Sequence, residues 1–253
     1  MVSFSEAQVL AWITPLLWPF LRALALFTAL PIFGTRTVPL RVRIGLAAFV
    51  AFAAQPTLPE MPNVPLDSAL AFMLVVQQVL IGVALGFAVR VVFTAIEYAG
   101  EVIGLQMGLN FASFFDPMSA STVTATSRFF GTSIAWLFIV MNGHLMIIAA
   151  LVQSFSSFPV SAEPFAFLRA TQPQLWGAEI FRTGLWIALP LVAMLMLVNL
   201  VLGVISRVAP QINVFAIGFP ITLGVGLLGM LITLPALQQP FNMALARMLA
   251  HFQ

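Results

Sequence analysis

Cysteine and lysine are both absent from this 253-residue chain, and charge of either sign is scarce. Without cysteine there is no disulfide, no thiolate metal site and no iron–sulfur cluster. Two histidines, His144 and His251, are too few for a bis-histidine haem or a histidine-rich metal centre, so no cofactor is expected. Only 7% of residues are charged, where a soluble domain carries roughly 25%. The net charge of +2 is small and the arginines are dispersed, which argues against a nucleic-acid partner. Motifs of catalysis are missing as well. No Gly-x-x-x-x-Gly-Lys loop, Gly-x-Ser-x-Gly turn or His-Glu-x-x-His helix occurs, so ATP hydrolysis is excluded and an enzyme is not expected.

What is present is apolar. Hydrophobic residues make up 61% of the chain and the mean hydropathy is +1.07. This composition predicts an all-α integral membrane protein, with lipid as its solvent and about six hydrophobic helical segments arranged as hairpins. The first apolar run, about Ala7 to Phe33, has Glu6 ahead of it and no basic residue before Arg22. It reads as an uncleaved helix rather than a secretory signal. Pro15 and Pro19 predict a kink in it, and Trp12 and Trp18 suit a membrane interface. Arg22 lies inside the run, where it either snorkels or bonds a buried neighbour. All ten basic residues are arginine, whose planar fork suits buried hydrogen bonding, although genomic bias explains the choice equally well.

A basic loop, Gly34 to Arg43, precedes Ile44 to Ala54, which is about half a bilayer in length. Four prolines between Pro56 and Asp67 make a stiff loop. Leu66 to Val89 is a spanning segment that includes Gln77-Gln78 and is closed by Arg90. Its Gly82 and Gly86, and Gly100, Gly104 and Gly108 of the next helix, are spaced for close helix packing. Glu97 and Glu101 share a helical face with Arg90; together with Asp116 and Arg128 they could form a buried charge network.

Asp116-Pro117 then breaks the helix before a serine- and threonine-rich tract ending at Ser127. Irregular backbone at membrane depth survives only when buried in protein or lining a cavity, so this region is the pore candidate. Phe111, Phe114 and Phe115, with Met107 and Met118, either close an aqueous path or simply pack against neighbouring helices. Phe129 to Val152 is the next span, Gln153 to Phe181 a longer loop, and Thr183 to Leu234 a hairpin. Pro240 to Gln253 forms an amphipathic tail bearing Arg247.

The tip of that hairpin, Ser206-Arg-Val-Ala-Pro-Gln-Ile-Asn-Val-Phe-Ala-Ile-Gly-Phe-Pro220, collects rare polar groups. Pro210 lacks an amide proton and turns Ala209 out of helical geometry, while Gln211 and Asn213 could bond the freed carbonyls. A plain turn accounts for much of this. The wording from Arg207 to Pro220 also resembles the C-terminal signature of the FliR family, membrane export-gate subunits of bacterial type III secretion systems. Pro31 to Pro39, Arg41-Val-Arg43 and Gly104 to Asn110 extend the resemblance along nearly the whole chain.

The resemblance implies a FliP-like part, residues 1–180, followed by a FliQ-like hairpin and tail, residues 181–253. It implies a plug near residues 108–121 with Phe111, Phe114, Phe115 and Met118 as its body, and Pro210, Gln211 and Asn213 in the hairpin loop. The implied partners are FliP-like and FliQ-like subunits, an FlhB-like switch protein and unfolded export substrates, at the flagellar basal body in the bacterial inner membrane. The rival reading is a proton-coupled transporter of a small solute, using Glu97, Glu101 and Asp116; against it stand the nearby arginines and the lack of a convincing inverted repeat.

Arg36, Arg41, Arg43, Arg90, Arg128 and Arg207 fall on one set of connections, predicted cytoplasmic. Six membrane-associated segments then place both termini outside. Tags fused at both ends should be cut by protease added from the outer side; protection of either tag overturns the orientation.

Overall fold

Nothing between Ala69 and Gln106 interrupts a helix. The computed structural model carries one continuous helix over those 38 residues, so the backbone runs on through Arg90, where the sequence closed the Leu66 to Val89 segment. Arginine is a good helix former, and no proline lies near it to break the hydrogen-bond ladder. The structure describes residues 6–34, 38–109, 124–161, 163, 165–211 and 214–253, the backbone alone at 6–12 and 214–215.

Among the described residues the chain is helical, with no strand. In order come α1 (Glu6–Ala29), α2 (Leu40–Ala54), α3 (Ala69–Gln106), α4 (Ala125–Val140) and α5 (Gly143–Ser157). They are followed by α6 (Ala166–Thr171), α7 (Trp176–Val208), α8 (Val214–Thr233) and α9 (Gln238–Leu249). Among the described residues three helices are long and apolar enough to cross a membrane: α3, one in the stretch Ala166–Val208, and Ala216–Thr233 within α8. The bent pair α4 and α5 makes up to a fourth.

That pair puts a bend into the segment read as one span over Phe129 to Val152. The two helices meet at 69° across Met141 and Asn142. Asn142 adopts a left-handed φ of 57°, which asparagine tolerates better than most residues, and Gly143 restarts the helix. The expected loop from Gln153 is also shorter than read. α5 runs to Ser157, and α7 starts at Trp176 after Gln172 takes a φ of 45°.

Two compact units share the chain. The first holds residues 1–91, 142–176 and 245–253, and the second residues 92–141 and 177–244. In the first unit Trp18 is fully buried, packs with Val64, Ala71 and Leu74, and donates its Nε1–H to the Pro62 carbonyl at 3.3 Å. It is a core residue rather than an interface anchor. The proline-rich segment therefore lies against α1 and supplies an acceptor. Phe158 packs edge-on against both Phe167 and Phe252, and Phe252 likewise meets Trp176. In the second unit Phe93, Phe138 and Phe241 form a triad with ring centroids 5.7–6.5 Å apart.

Arg22 shows how an apolar helix bundle accommodates a cation. Fully buried, it donates from Nε to Gln78 Oε1 at 2.8 Å, from Nη1 to Ser154 Oγ at 2.9 Å and from Nη2 to the Phe158 carbonyl at 2.9 Å. Its guanidinium carbon lies 3.6 Å from the Phe155 ring centroid. Gln78 is fixed in turn by donating to Gln77 Oε1, and Gln77 donates to the Pro159 carbonyl and Ser161 Oγ. Of the two roles read for Arg22, the buried bond is the one realised. Gly82 and Gly86 let α3 approach close to α1: a Cβ on Gly82 would collide with the Arg22 carbonyl oxygen, and one on Gly86 would come within 2.5 Å of Ala29 Cβ.

Arg22→Met should strand the acceptors on Gln78 and Phe158 and cost about 2–5 kcal/mol. Arg22→Lys should recover only part of it, because an ammonium lacks the fork. Chemical unfolding of the purified chain in mild detergent measures both; an unchanged midpoint for Arg22→Met would show that the network does not support the fold.

Candidate functional site

The last turns of α3 and the first turn of α4 bracket the segment read as a plug. Phe111, Phe114, Phe115, Asp116 and Met118 lie outside the described residues; Gly108 and Thr124 stand at the two flanks of that segment. Gly108 closes the α3 end. It adopts φ 78°, where a side chain is strained, with its amide bonded to the Leu105 carbonyl at 3.1 Å and the Leu109 amide to the Gly104 carbonyl at 3.1 Å. These are the two bonds of a Schellman cap. Gly108 is thus a helix terminator, set apart from the packing glycines it was grouped with.

The two packing glycines of this region, Gly100 and Gly104, receive α4. A Cβ on Gly100 would lie 2.9 Å from Ser127 Cα and from a Phe130 ring carbon, and one on Gly104 would collide with Thr126 Oγ1. Across that contact Glu101 Oε2 accepts the Thr124 hydroxyl at 2.7 Å and the Thr124 amide at 3.4 Å. Thr124 caps α4 by accepting from the Ser127 amide at 3.2 Å, and Ser127 Oγ donates to the Glu97 carbonyl at 2.9 Å. A carboxylate at a helix N-terminus also meets the positive end of its dipole. The start of α4 is therefore tied to the last turns of α3.

Met107 is fully buried, against Gly226 of α8 in the same unit. Of the described members of the expected charge network, Arg90, Glu97 and Arg128 lie at exposed positions and Glu101 is half-buried. The Glu97 side chain lies over Gly131, where an added Cβ would be 3.0 Å from its Oε1. The acid whose partner decides local structure is Glu101, and that partner is a threonine. Sequence reading passed over Thr124, Thr126 and Ser127, although the serine- and threonine-rich tract pointed there.

At the hairpin tip, Arg207, Pro210 and Gln211 are exposed, and Asn213 lies outside the described residues. The Ala209 amide still bonds the Ile205 carbonyl at 2.8 Å, and Ser206 Oγ donates to the Gly203 carbonyl at 2.7 Å. α7 thus ends in a locally satisfied turn. Farther along, Gly229 of α8 lies against Leu191 and Met194 of α7, so the two helices run back along each other.

Glu101→Ala and Thr124→Val should each cost about 1–3 kcal/mol. The double variant should cost little more than either alone, since both remove one interaction. Thermal unfolding in detergent gives the cycle, and fully additive losses would dismiss the clamp.

A model of the family described as bacterial export proteins, family 1, matches residues 13–248. The flagellar biosynthetic protein FliR of Escherichia coli K12 is 45% identical over 230 residues, covering 90% of this chain and 87% of the relative. The FliR of Pectobacterium carotovorum is 41% identical over 238 residues, covering 93% and 90%, and that of Buchnera aphidicola from Acyrthosiphon pisum is 35% identical over 240 residues, covering 94% and 92%. A match spanning α1 to α9 at this identity means that the chain belongs to the FliR family of bacterial export proteins.

Proposed function

We propose that this chain is the FliR-like subunit of a flagellar type III protein export gate in the bacterial inner membrane, at the basal body. One copy templates a helical ring of FliP-like and FliQ-like subunits, contacts an FlhB-like switch protein, and helps seal the channel for unfolded substrates. Family membership along α1 to α9 is the observation that carries this reading. Relatives that are flagellar biosynthetic proteins favour the flagellar machine over an injectisome. Residues 1–180 serve as the FliP-like part and residues 181–253 as the FliQ-like hairpin and tail.

The seal is the segment near 108–121, with Phe111, Phe114, Phe115 and Met118 as its apolar body beside Met107. The Gly108 cap and the Glu101–Thr124 clamp support the idea, because they hold the flanks of this segment in fixed geometry. A narrow apolar constriction resists wetting, and flexible methionine adapts to many unfolded sequences. The chain contributes no catalytic chemistry in this reading; energy comes from a separate ATPase and the proton gradient. The transporter alternative finds no support among the relatives, and Glu101 is engaged by Thr124.

Native mass spectrometry of the chain co-expressed with FliP-like and FliQ-like neighbours should give one large complex holding a single copy of it. A monomer or homodimer that ignores those partners would overturn the templating role. In the assembled complex, deleting Phe111 to Phe115 should raise small-ion conductance well above background; background conductance would refute the plug.

A further inference from the structure

The two sides of α9 differ in chemistry. Phe241, Leu245, Met248 and Leu249 are buried, so the apolar side of this amphipathic helix is used up inside the chain. A helix that lies on a membrane keeps that side for lipid. On the outward side stand Gln239, Asn242, Met243, Ala246 and Arg247, at the spacing i, i+3, i+4, i+7, i+8. Met243 is the one large apolar side chain of α9 that is exposed. In the second unit, Phe241 meets the rings of Phe93 on α3 and Phe138 on α4 at 5.9 and 6.5 Å. Phe93 lies about 20 Å before the end of α3 at Gln106, at 1.5 Å per residue, and farther still from its start. α9 therefore covers the side of these helices and does not cap their ends.

The outward side chains select what faces them. A lipid tail offers no hydrogen bond to the amides of Gln239 and Asn242, and it disfavours the charge of Arg247. Close-packed helices in this chain meet over small residues, as at Gly82, Gly86, Gly100 and Gly104. Gln239, Met243 and Arg247 are long instead, and they lose rotamer freedom when buried. Water satisfies all of them. Asn242 Oδ1 favours it too: the atom is shielded by the chain yet has no hydrogen-bond partner among the described residues, so its donor must come from outside the chain. The same amides suit one class of solute. A primary amide offers two donors and an acceptor, the complement of a peptide group whatever its side chain. Unfolded polypeptides have only that backbone in common, and methionine adapts to the side chains that differ. We infer that the outward face of α9 is a water-facing wall of the export path, along which the backbone of an unfolded substrate passes. The inference rests on the export-gate reading.

The chain has no cysteine, so single substitutions report cleanly. Gln239→Cys and Ala246→Cys are placed in the assembled gate in bacterial membranes and treated with a membrane-impermeant maleimide from either side. Both should label, with Leu231→Cys on the exposed apolar surface of α8 setting the background. An export substrate fused to a domain that resists unfolding stalls in transit, and it should bring labelling down to that background. No labelling above background without the stalled substrate would mean that protein or lipid covers the face, and would overturn the inference. Labelling that a stalled substrate leaves unchanged would put the face in bulk water and overturn it equally. If one variant fails to assemble, the other decides. Co-purification with the FliP-like and FliQ-like subunits is scored first. A wild-type chain left out of that complex refutes the export-gate reading, whereas unprotected labelling in an assembled complex refutes the α9 wall alone.

Discussion

A cation in an apolar helix bundle must find every hydrogen bond it needs inside the protein. Arg22 does so with an amide oxygen from α3, a hydroxyl from α5 and a carbonyl just beyond α5. Those partners are 56, 132 and 136 residues away in sequence, so the guanidinium fixes three elements at once. Apolar contacts in such a bundle are non-directional and permit sliding by a turn. The planar fork does not, because a slip of one turn leaves buried acceptors unpaired. Gln77 and Gln78 extend the same constraint to the segment around Ser161. A residue that looks like an error in a hydrophobic run thereby sets the register of the first unit.

Close approach of backbones is the complement to that register. Gly82 and Gly86 bring α3 onto α1, and Gly100 and Gly104 receive α4. Each glycine weakens the helix intrinsically by about 1 kcal/mol relative to alanine. Dispersion across the resulting contact offsets this where lipid tails give helices no hydrophobic reason to associate. Gly184 against the Ala95 carbonyl and Gly229 against Leu191 repeat the device in the second unit. Gly108 differs because its φ of 78° places it among helix terminators, and spacing alone cannot distinguish the two uses.

The helical membrane class was legible because composition alone excludes a soluble fold, and the glycine pairs were legible because four-residue spacing has a direct geometric meaning. Helix continuity through Arg90 was not, since hydropathy falls at a charge whether or not the backbone turns. The break at Asn142 was missed for the opposite reason: a left-handed asparagine ends a helix without lowering hydropathy enough to show. At the candidate site, Gly104 and Glu101 were visible as types, but Thr124 was hidden in a run of similar residues. Its role depends on being the one that caps α4, which is a property of the backbone. Arg22 was visible as an anomaly; its partners are too distant in sequence for any local pattern to name.

The outer faces pose the remaining constraint. Only 22% of the most apolar window within Ala166–Val208 is buried, against 67% for α3. Trp186, Leu189, Leu197, Leu200 and Val208 of α7, and Leu228, Leu231 and Ile232 of α8, are each more than half exposed. Such surface exceeds what a soluble monomer tolerates, so an apolar environment must cover it. Lipid and neighbouring helices both qualify, and they exert little hydrophobic preference for one another. The choice between them falls to packing and polar contacts, and these helices carry glycine at open positions such as Gly203 and Gly224, where an added Cβ meets nothing. Inside the units, Gly82, Gly86, Gly100, Gly104, Gly184 and Gly229 each lie beneath a close approach. Unoccupied glycines on α7 and α8 therefore leave room for another backbone to approach, a geometry that suits a chain completed by its neighbours more than one closed upon itself.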